Sequence, residues 1–333
     1  MKAMVLKRAT AVEENPLEYI DIPDPDPAPG EILVRVRVCG ICRTDLHTVE
    51  GEILPSKMPI VPGHQVIGTV AARGPEAKRF VEGDRVGMAW LFRTCGVCSF
   101  CLAGKENLCE KAQFTGFDAD GGFAEYTKIH EDFAYPIPDV FTDREAAPLL
   151  CAGIIGYRAL RLSEIQKGQR LGLYGFGAAA HIAVQVAVHR GCEVYVFTRG
   201  ASHRALALRL GASWAGSLGD SLPAKLQGSI IFAPAGEIVP VALSHLDRGG
   251  TLALGGIYMT PIPALDYMKH LYDERTMRSV TASTRRDGNE LLEAAAEIPI
   301  RTEIQSFPLA EANRALQLLK AGRIDGAGVL VVP

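Results

Sequence analysis

Four cysteines fall within fifteen residues, as Cys95-Gly-Val-Cys98-Ser-Phe-Cys101 and, eight positions on, Cys109. Thiolates this close along a turning loop can converge on one tetrahedral ion, and four of them leave no coordination position open. That is the donor set of a structural zinc. An iron–sulfur cluster competes for the same residues, but its usual spacings differ and no proline follows Cys109; free thiols are the third reading. A nucleic-acid-binding zinc ribbon would carry basic and aromatic residues between its ligands. The insert Leu102-Ala-Gly-Lys-Glu-Asn-Leu108 offers one basic and one acidic residue, which disfavours it.

A second set is scattered: Gly40-Ile-Cys42-Arg-Thr44-Asp45-Leu-His47, then Pro62-Gly-His64-Gln65, then Leu150-Cys151-Ala-Gly153. Two thiols and an imidazole would leave one position of a zinc open to water or a substrate oxygen, the arrangement of a Lewis-acid catalyst. The alternative is that Cys151 is a buried apolar residue and His64 a turn residue, and spacing alone leaves both open. Of the eight cysteines, Cys39 and Cys192 fall in neither set and read as small buried residues.

The third feature is a glycine loop, Gly175-Phe176-Gly177-Ala178-Ala179-Ala180. The first glycine permits a tight turn, the second lets the backbone approach a pyrophosphate, and small Ala180 permits close helix–strand packing. A helix starting there would offer free N–H groups to the phosphates. About twenty residues on, the next strand is followed by Thr198-Arg199. Enzymes that use NAD tend to carry Asp or Glu at that point to hold the ribose hydroxyls. Thr198 lacks the charge that would repel a 2′-phosphate, Arg199 offers a cation to pair with it, and Ser202 and Arg204 add donors, so the sequence favours NADP(H) over NAD(H). His181, just after the loop, reads as a residue of the helix face.

These residues need elements to position them. After the proline-rich stretch Asp21–Gly30, Ile32, Val34, Val36 and Val38 alternate with Arg35 and Arg37, the pattern of a half-buried strand. Short apolar stretches broken by Gly and Pro continue to about residue 150, which suggests an irregular, mainly β domain. The texture then changes. Strands at Arg170–Tyr174, Glu193–Phe197, Ser229–Phe232 and Thr251–Leu254 alternate with helical patterns, including Ala179, Ile182, Ala183 and Val186 and the segment Ala201–Leu210. Alternation of this kind implies a parallel sheet built from βαβ units, and the glycine loop between its strand and helix makes a Rossmann-type doubly wound sheet the expected fold. A helical pattern over Glu290–Glu297 and a last strand at Val329–Val332 read as a return to the first domain. The expected division is 1–152 catalytic and zinc-binding, 153–281 dinucleotide-binding, and 282–333 back in the catalytic domain.

Composition sets outer bounds. The 333 residues suggest about two domains. A 48% hydrophobic and 22% charged content is that of a globular chain with a sizeable core. A net charge of −3 argues against broad nucleic-acid binding. No apolar run approaches the ~18 residues of a membrane helix, and Met1–Lys7 has no signal-peptide character, so the expectation is a cytoplasmic protein with no membrane partner.

Taken in order, these motifs resemble those of the zinc-dependent medium-chain alcohol dehydrogenases, over nearly the whole chain. That family carries a C-x-T/S-D-x-x-H motif, a GHE-type motif, a four-cysteine lobe, a further cysteine and a nucleotide-binding glycine loop. The chain has Cys42–His47, Gly63-His64-Gln65, Cys95/98/101/109, Cys151 and the Gly175 loop in that sequence. The aromatic-alcohol branch around cinnamyl alcohol dehydrogenase is the most similar. The resemblance implies a GroES-like catalytic domain beside the Rossmann domain and two zinc ions per chain. It makes Cys42, His64 and Cys151 the catalytic ligands and Cys95, Cys98, Cys101 and Cys109 the structural ones. Asp45 resembles the carboxylate behind the ligand histidine, Thr44 the hydroxyl that takes the alcohol proton, His47 the relay to solvent, and Arg43 a pyrophosphate contact. Trp90 and Ile53 resemble residues lining the alcohol pocket. Gln65 departs from the family's Glu and drops a negative charge there. The implied reaction interconverts an alcohol with an aldehyde or ketone by hydride transfer to or from NAD(P), in a homodimer or homotetramer. A zinc-independent quinone or enone reductase and a non-catalytic zinc- and nucleotide-binding protein are the alternatives.

Overall fold

The computed structural model describes residues 1–298, 300–324 and 326–333. The chain forms two compact units. The first comprises Met1–Cys151, Ala282–Ala296 and Arg301–Pro333, and the second Ala152–Thr281 with Glu297–Ile300.

The first unit is built on a mainly antiparallel sheet. Its central strand is Glu31–Gly40, where Ile32, Val34, Val36 and Val38 are buried and Arg35 and Arg37 exposed, as the alternation requires. It pairs antiparallel with Gln65–Arg73, Tyr126–His130 and Ala327–Val331. The last strand of the chain therefore closes this sheet. Ile304–Pro308 adds to it in parallel, while Arg85–Met88 and Ala134–Pro136 extend the far side. The core beneath includes Ile32, Val34, Met88, Phe123 and Ile129. The sheet places the start of the Arg43–Glu50 helix and the start of the Gln65–Arg73 strand side by side, since Gly40 pairs with Gln65.

The second unit is a six-stranded, wholly parallel sheet. Its order is Trp214–Gly216, Glu193–Phe197, Arg170–Tyr174, Leu226–Ile231, Leu246–Leu254, Thr276–Ser279. The strand order reverses beside Arg170–Tyr174, the switch point at which doubly wound sheets bind ligands. Leu171, Leu173 and Tyr174 are fully buried, the continuous apolar signature of a strand covered on both faces. Sequence periodicity did not reveal the outer strands. Thr276-Met-Arg-Ser279 is polar because an edge strand has one unpaired side and needs little burial. Among the described residues no helix is long and apolar enough to cross a membrane.

Candidate active site

Cys42 caps the N-terminus of the Arg43–Glu50 helix. Its sulfur accepts the Thr44 backbone N–H at 3.3 Å, while the Asp45 carboxylate accepts the Cys42 N–H at 2.8 Å. The Thr-Asp pair after the cysteine thus forms a reciprocal cap, which fixes the thiol's direction. His64 follows Gly63, whose φ of +98° and contact with the Phe123 ring exclude a side chain. Cys151 ends the Ala147–Leu150 turn.

These three donors converge. His64 Nε2 lies 3.4 Å from Cys42 Sγ and 3.3 Å from Cys151 Sγ, and the two sulfurs are 3.9 Å apart. Zinc–sulfur and zinc–nitrogen bonds of roughly 2.3 and 2.0 Å, in a tetrahedron, place donors about 3.5–3.8 Å apart. The donor set therefore fits zinc in type and in spacing. Behind it, Asp45 Oδ1 faces His64 Nδ1 at 3.1 Å, with both groups buried. A carboxylate there holds the proton on Nδ1 and leaves Nε2 to a metal. The hydrogen bond from Cys151 and the His64 charge hold the Cys42 thiol well below its usual range, against the cost of burial. Burial raises the Asp45 carboxyl, with the His64 charge opposing it. The sequence departure at Gln65 is also buried, and its Nε2 has no hydrogen-bond partner among the described residues.

The four-cysteine lobe is a second donor set. Cys98 and Cys101 sulfurs are 3.5 Å apart, Cys109 and Cys95 3.5 Å, and Cys95 and Cys101 3.9 Å. All four lie within the spacing a single ion needs. Backbone N–H groups of Val97 and Cys98 draw the Cys95 thiol down to about 6.

Of the remaining sequence-derived positions in this unit, Thr44 is buried and Arg43 exposed at the first turn of the helix. His47 is half-buried in its last turn, and its Nδ1 meets the Glu52 carboxylate at 2.5 Å. The Trp90 ring stands edge-on to the His64 ring, 5.0 Å between centroids. Phe114 stacks on Trp90 at 5.0 Å, and Phe117 tilts against it at 5.7 Å. Sequence reasoning missed Glu52, Phe114 and Phe117. Two aromatics three residues apart were the available signal for the wall. Ile53 is half-buried in the turn after the helix.

In the second unit, the glycine loop joins the Arg170–Tyr174 strand to the Ala178–His189 helix. Gly175 has φ +89° and packs against Ala233, so a side chain would be strained and crowded there. A Cβ on Gly177 would meet nothing within 4 Å, and the helix has no side-chain cap. Open space in front of uncapped N–H groups fits a phosphate. Phe176 and Ala180 are buried, Ala178 is exposed and Ala179 half-buried. His181 is buried on the helix.

Thr198 and Arg199 follow the neighbouring Glu193–Phe197 strand, and the Arg199 side chain is exposed. Arg204 is engaged otherwise than the sequence suggested. Its Nη1 donates to the carbonyls of Thr198 and Arg199 and to Ser217 Oγ, so it braces the loop. His203 lies beside the loop, 6.5 Å from the Phe176 ring. A cavity of about 340 Å³ opens at the C-terminal ends of Leu246–Leu254 and Thr276–Ser279, lined by Leu254, Gly256, Ile257, Thr260, Ser279 and Val280.

Two family models match the chain. Residues 28–139 match the alcohol dehydrogenase GroES-like domain, and residues 178–297 the zinc-binding dehydrogenase domain. The chain is 49% identical to a probable alcohol dehydrogenase AdhA of Mycobacterium tuberculosis, across all of this chain and 97% of the relative. It is 34% identical to an alcohol dehydrogenase of Geobacillus stearothermophilus, covering 98% and 99% of the two chains. Among solved structures, a cinnamyl alcohol dehydrogenase from Sorghum bicolor superposes with a TM-score of 0.89 at 27% identity, covering 99% and 97%. A cobalt- and zinc-bound thermostable alcohol dehydrogenase from Pyrobaculum aerophilum gives 0.89 at 25%, covering 99% of each.

Proposed function

We propose, from the premise that this chain belongs to the zinc-binding medium-chain alcohol dehydrogenase family, a specific division of labour for its activity as an alcohol oxidoreductase. Cys42, His64 and Cys151 hold a catalytic zinc, and Cys95, Cys98, Cys101 and Cys109 a structural one. The chemistry supplied is Lewis-acid polarisation of the alcohol oxygen by the metal and hydride uptake by a nicotinamide. The observation that carries this reading is the Cys42–His64–Cys151 convergence with Asp45 behind it. A zinc-independent enone or quinone reductase would have no use for that set.

The chain's own residues do the rest. Asp45 keeps His64 in the tautomer that ligates through Nε2. Thr44, two residues from Cys42, accepts the alcohol proton through its hydroxyl, and His47 passes it towards solvent. Trp90, Phe114 and Phe117 give the alcohol an aromatic wall, which favours an apolar or aromatic carbinol over a small polar one. Gly175, Phe176, Gly177, Ala178, Ala179 and Ala180 cradle the cofactor's pyrophosphate. The cavity beside Leu254 and Ser279 has the volume of a ligand pocket and would receive the cofactor's nicotinamide half.

Cofactor preference rests on Arg199. Its side chain exposed and its backbone carbonyl held by Arg204, it pairs with the 2′-phosphate of NADP(H). One charge-assisted contact is worth about 1.5–3 kcal/mol, or roughly tenfold to a hundredfold in relative affinity. The chain assembles as a homodimer or homotetramer. Exposed Ile257, Tyr258, Tyr267, Met268 and Tyr272 lie in the segment leading to the edge strand Thr276–Ser279, a surface suited to self-association.

The experiment is kcat/KM for a panel of primary, secondary and aromatic alcohols and aldehydes with each cofactor, in wild type, Thr198→Asp and Arg199→Ala. Wild type favours NADP(H), and both substitutions move the ratio towards NAD(H) by roughly tenfold or more. A wild-type preference for NAD(H), or a ratio that neither change moves, would overturn the 2′-phosphate assignment.

A further inference from the structure

We infer that Glu52 is the positioning residue of the proton relay: its carboxylate holds the His47 ring so that Nε2 receives the alcohol proton and the resulting imidazolium is stabilised. This rests on the proposed role of His47 and adds to it a residue outside the motif.

The turn after the Arg43–Glu50 helix makes the contact. Gly51 ends the helix at φ +79°, and a Cβ on it would lie 3.1 Å from Ala9 Cβ. The His47 carbonyl then accepts the N–H groups of both Glu52, at 3.0 Å, and Ile53, at 3.3 Å. The chain is thereby folded back over the last turn, and the Glu52 side chain returns to the ring of the residue whose carbonyl its backbone already caps. His47 Nδ1 meets Glu52 Oε2 at 2.5 Å. The imidazole is 23% exposed and the carboxylate 61%, so the pair runs from a shielded ring to open water. A carboxylate only accepts, so the proton of a neutral ring sits on Nδ1 and Nε2 keeps its lone pair. Nε2 has no hydrogen bond among the described residues. When Nε2 takes a proton, the ring becomes a cation beside an anion, and the charge is lost again by proton release to solvent.

Other charges around this helix are engaged elsewhere. Asp45 faces His64, and Glu50 accepts from Lys320 and from the Val12 N–H. On the elements packed against the helix, Lys320 also holds Glu13, and Glu14 accepts from Thr10. Arg43 lies exposed one turn before His47 on the same helix, and exposed Arg8 neighbours Ala9 beside the Gly51 turn. Glu52 is thus the carboxylate committed to His47.

The test compares the pH profile of kcat for alcohol oxidation, under steady-state and single-turnover conditions, in wild type, Glu52→Gln, Glu52→Ala, Glu52→Asp, Glu50→Gln and His47→Gln. A neutral amide at 52 can still accept from Nδ1 but no longer stabilises the cation. In Glu52→Gln the acid limb of the rate profile therefore moves to lower pH. Glu52→Ala loses the orientation as well and lowers kcat by a further few-fold, with KM for the alcohol little changed. Glu52→Asp restores the wild-type limb in part. Glu50→Gln, an equal charge change at the same helix end, leaves the limb in place. An effect of His47→Gln with an unmoved limb in Glu52→Gln, or an equal shift in Glu50→Gln, overturns the role of Glu52 alone. No effect of His47→Gln on rate or profile removes the relay reading and this inference with it.

Discussion

The two cysteine clusters share a donor chemistry and differ in surroundings. His64 and Asp45 are almost fully enclosed, whereas Val97 and Leu102 beside the four-cysteine lobe are 77% and 76% exposed. The lobe closes on itself within fifteen residues, while Cys42 and Cys151 are 109 positions apart and meet only when the sheet has formed. Self-contained donors can bind an ion with little help from the rest of the fold and leave nothing for a substrate. Donors gathered by the fold come with a buried carboxylate, a shaped wall and one position left open. On the proposed reading, the lobe contributes stability and the enclosed site the chemistry.

The sharpest way to break that comparison is to remove a ligand from the enclosed site. Cys151→Ser lowers kcat by at least on the order of 10³-fold, the scale on which electrostatic stabilisation of a reacting oxygen acts. Folding is retained, because the side chain is small and its volume nearly kept. Native mass spectrometry counts two zinc ions in wild type and one in the variant. A single ion in wild type would undo the two-site description outright. A chelator draws the same distinction without mutation. The three-ligand ion leaves first, activity falls with it while the far-ultraviolet spectrum stays unchanged, and added zinc restores turnover. Loss of both ions together, or unfolding in step with inactivation, would erase the difference between the sites.

A smaller effect is expected one bond further out. In Asp45→Asn a single amide oxygen must serve both the Cys42 N–H and His64 Nδ1, where the carboxylate offers two. The loss of such a partner costs roughly 10–100-fold in metal affinity. Competition against a chromophoric chelator measures it. An unchanged affinity would mean that His64 is oriented by packing against Trp90 alone.

The same contrast explains what could be read from the chain. The lobe is legible because its ligands are contiguous: the spacing of Cys95, Cys98, Cys101 and Cys109 already contains the loop that gathers them. The strand Arg170–Tyr174 and the Gly175 loop are legible for the same reason, since the turn, the strand and the helix that shape a phosphate site are neighbours in sequence. For Cys42, His64 and Cys151, residue types alone left a three-ligand site and unrelated buried residues in balance. Their convergence depends on the pairing of Gly40 with Gln65 across the sheet, which no local pattern encodes. Glu52 was missed because its role comes from a left-handed glycine turn, and Phe114 and Phe117 because the pairing of Leu91–Arg93 with Gln113–Phe114, which brings them to Trp90, spans the whole four-cysteine lobe in sequence. Arg204 has the right charge for a phosphate, but three nearby oxygens claim it first.

The smallest effect on chemistry belongs to the lobe, and it sharpens the comparison from the other side. Cys98→Ser removes one of four ligands from a loop whose ends, Cys95 and Cys109, are held 3.5 Å apart at their sulfurs. None of the described lobe residues contributes to the Cys42–His64–Cys151 set. Turnover per folded chain should therefore stay within about twofold of wild type, the range of a substitution that touches no reacting group. Stability is where the change registers. A cross-link closing a fifteen-residue loop contributes about 3 kcal/mol by restricting the unfolded chain, and a bound ion adds its own affinity for the folded form. The variant should melt several degrees lower and yield less folded protein, and its zinc count should fall to one while saturating alcohol still turns over. Active-site titration separates the two quantities, since it normalises kcat to the chains that are folded. A fall in normalised kcat approaching that of Cys151→Ser would mean that the lobe shapes the reaction itself.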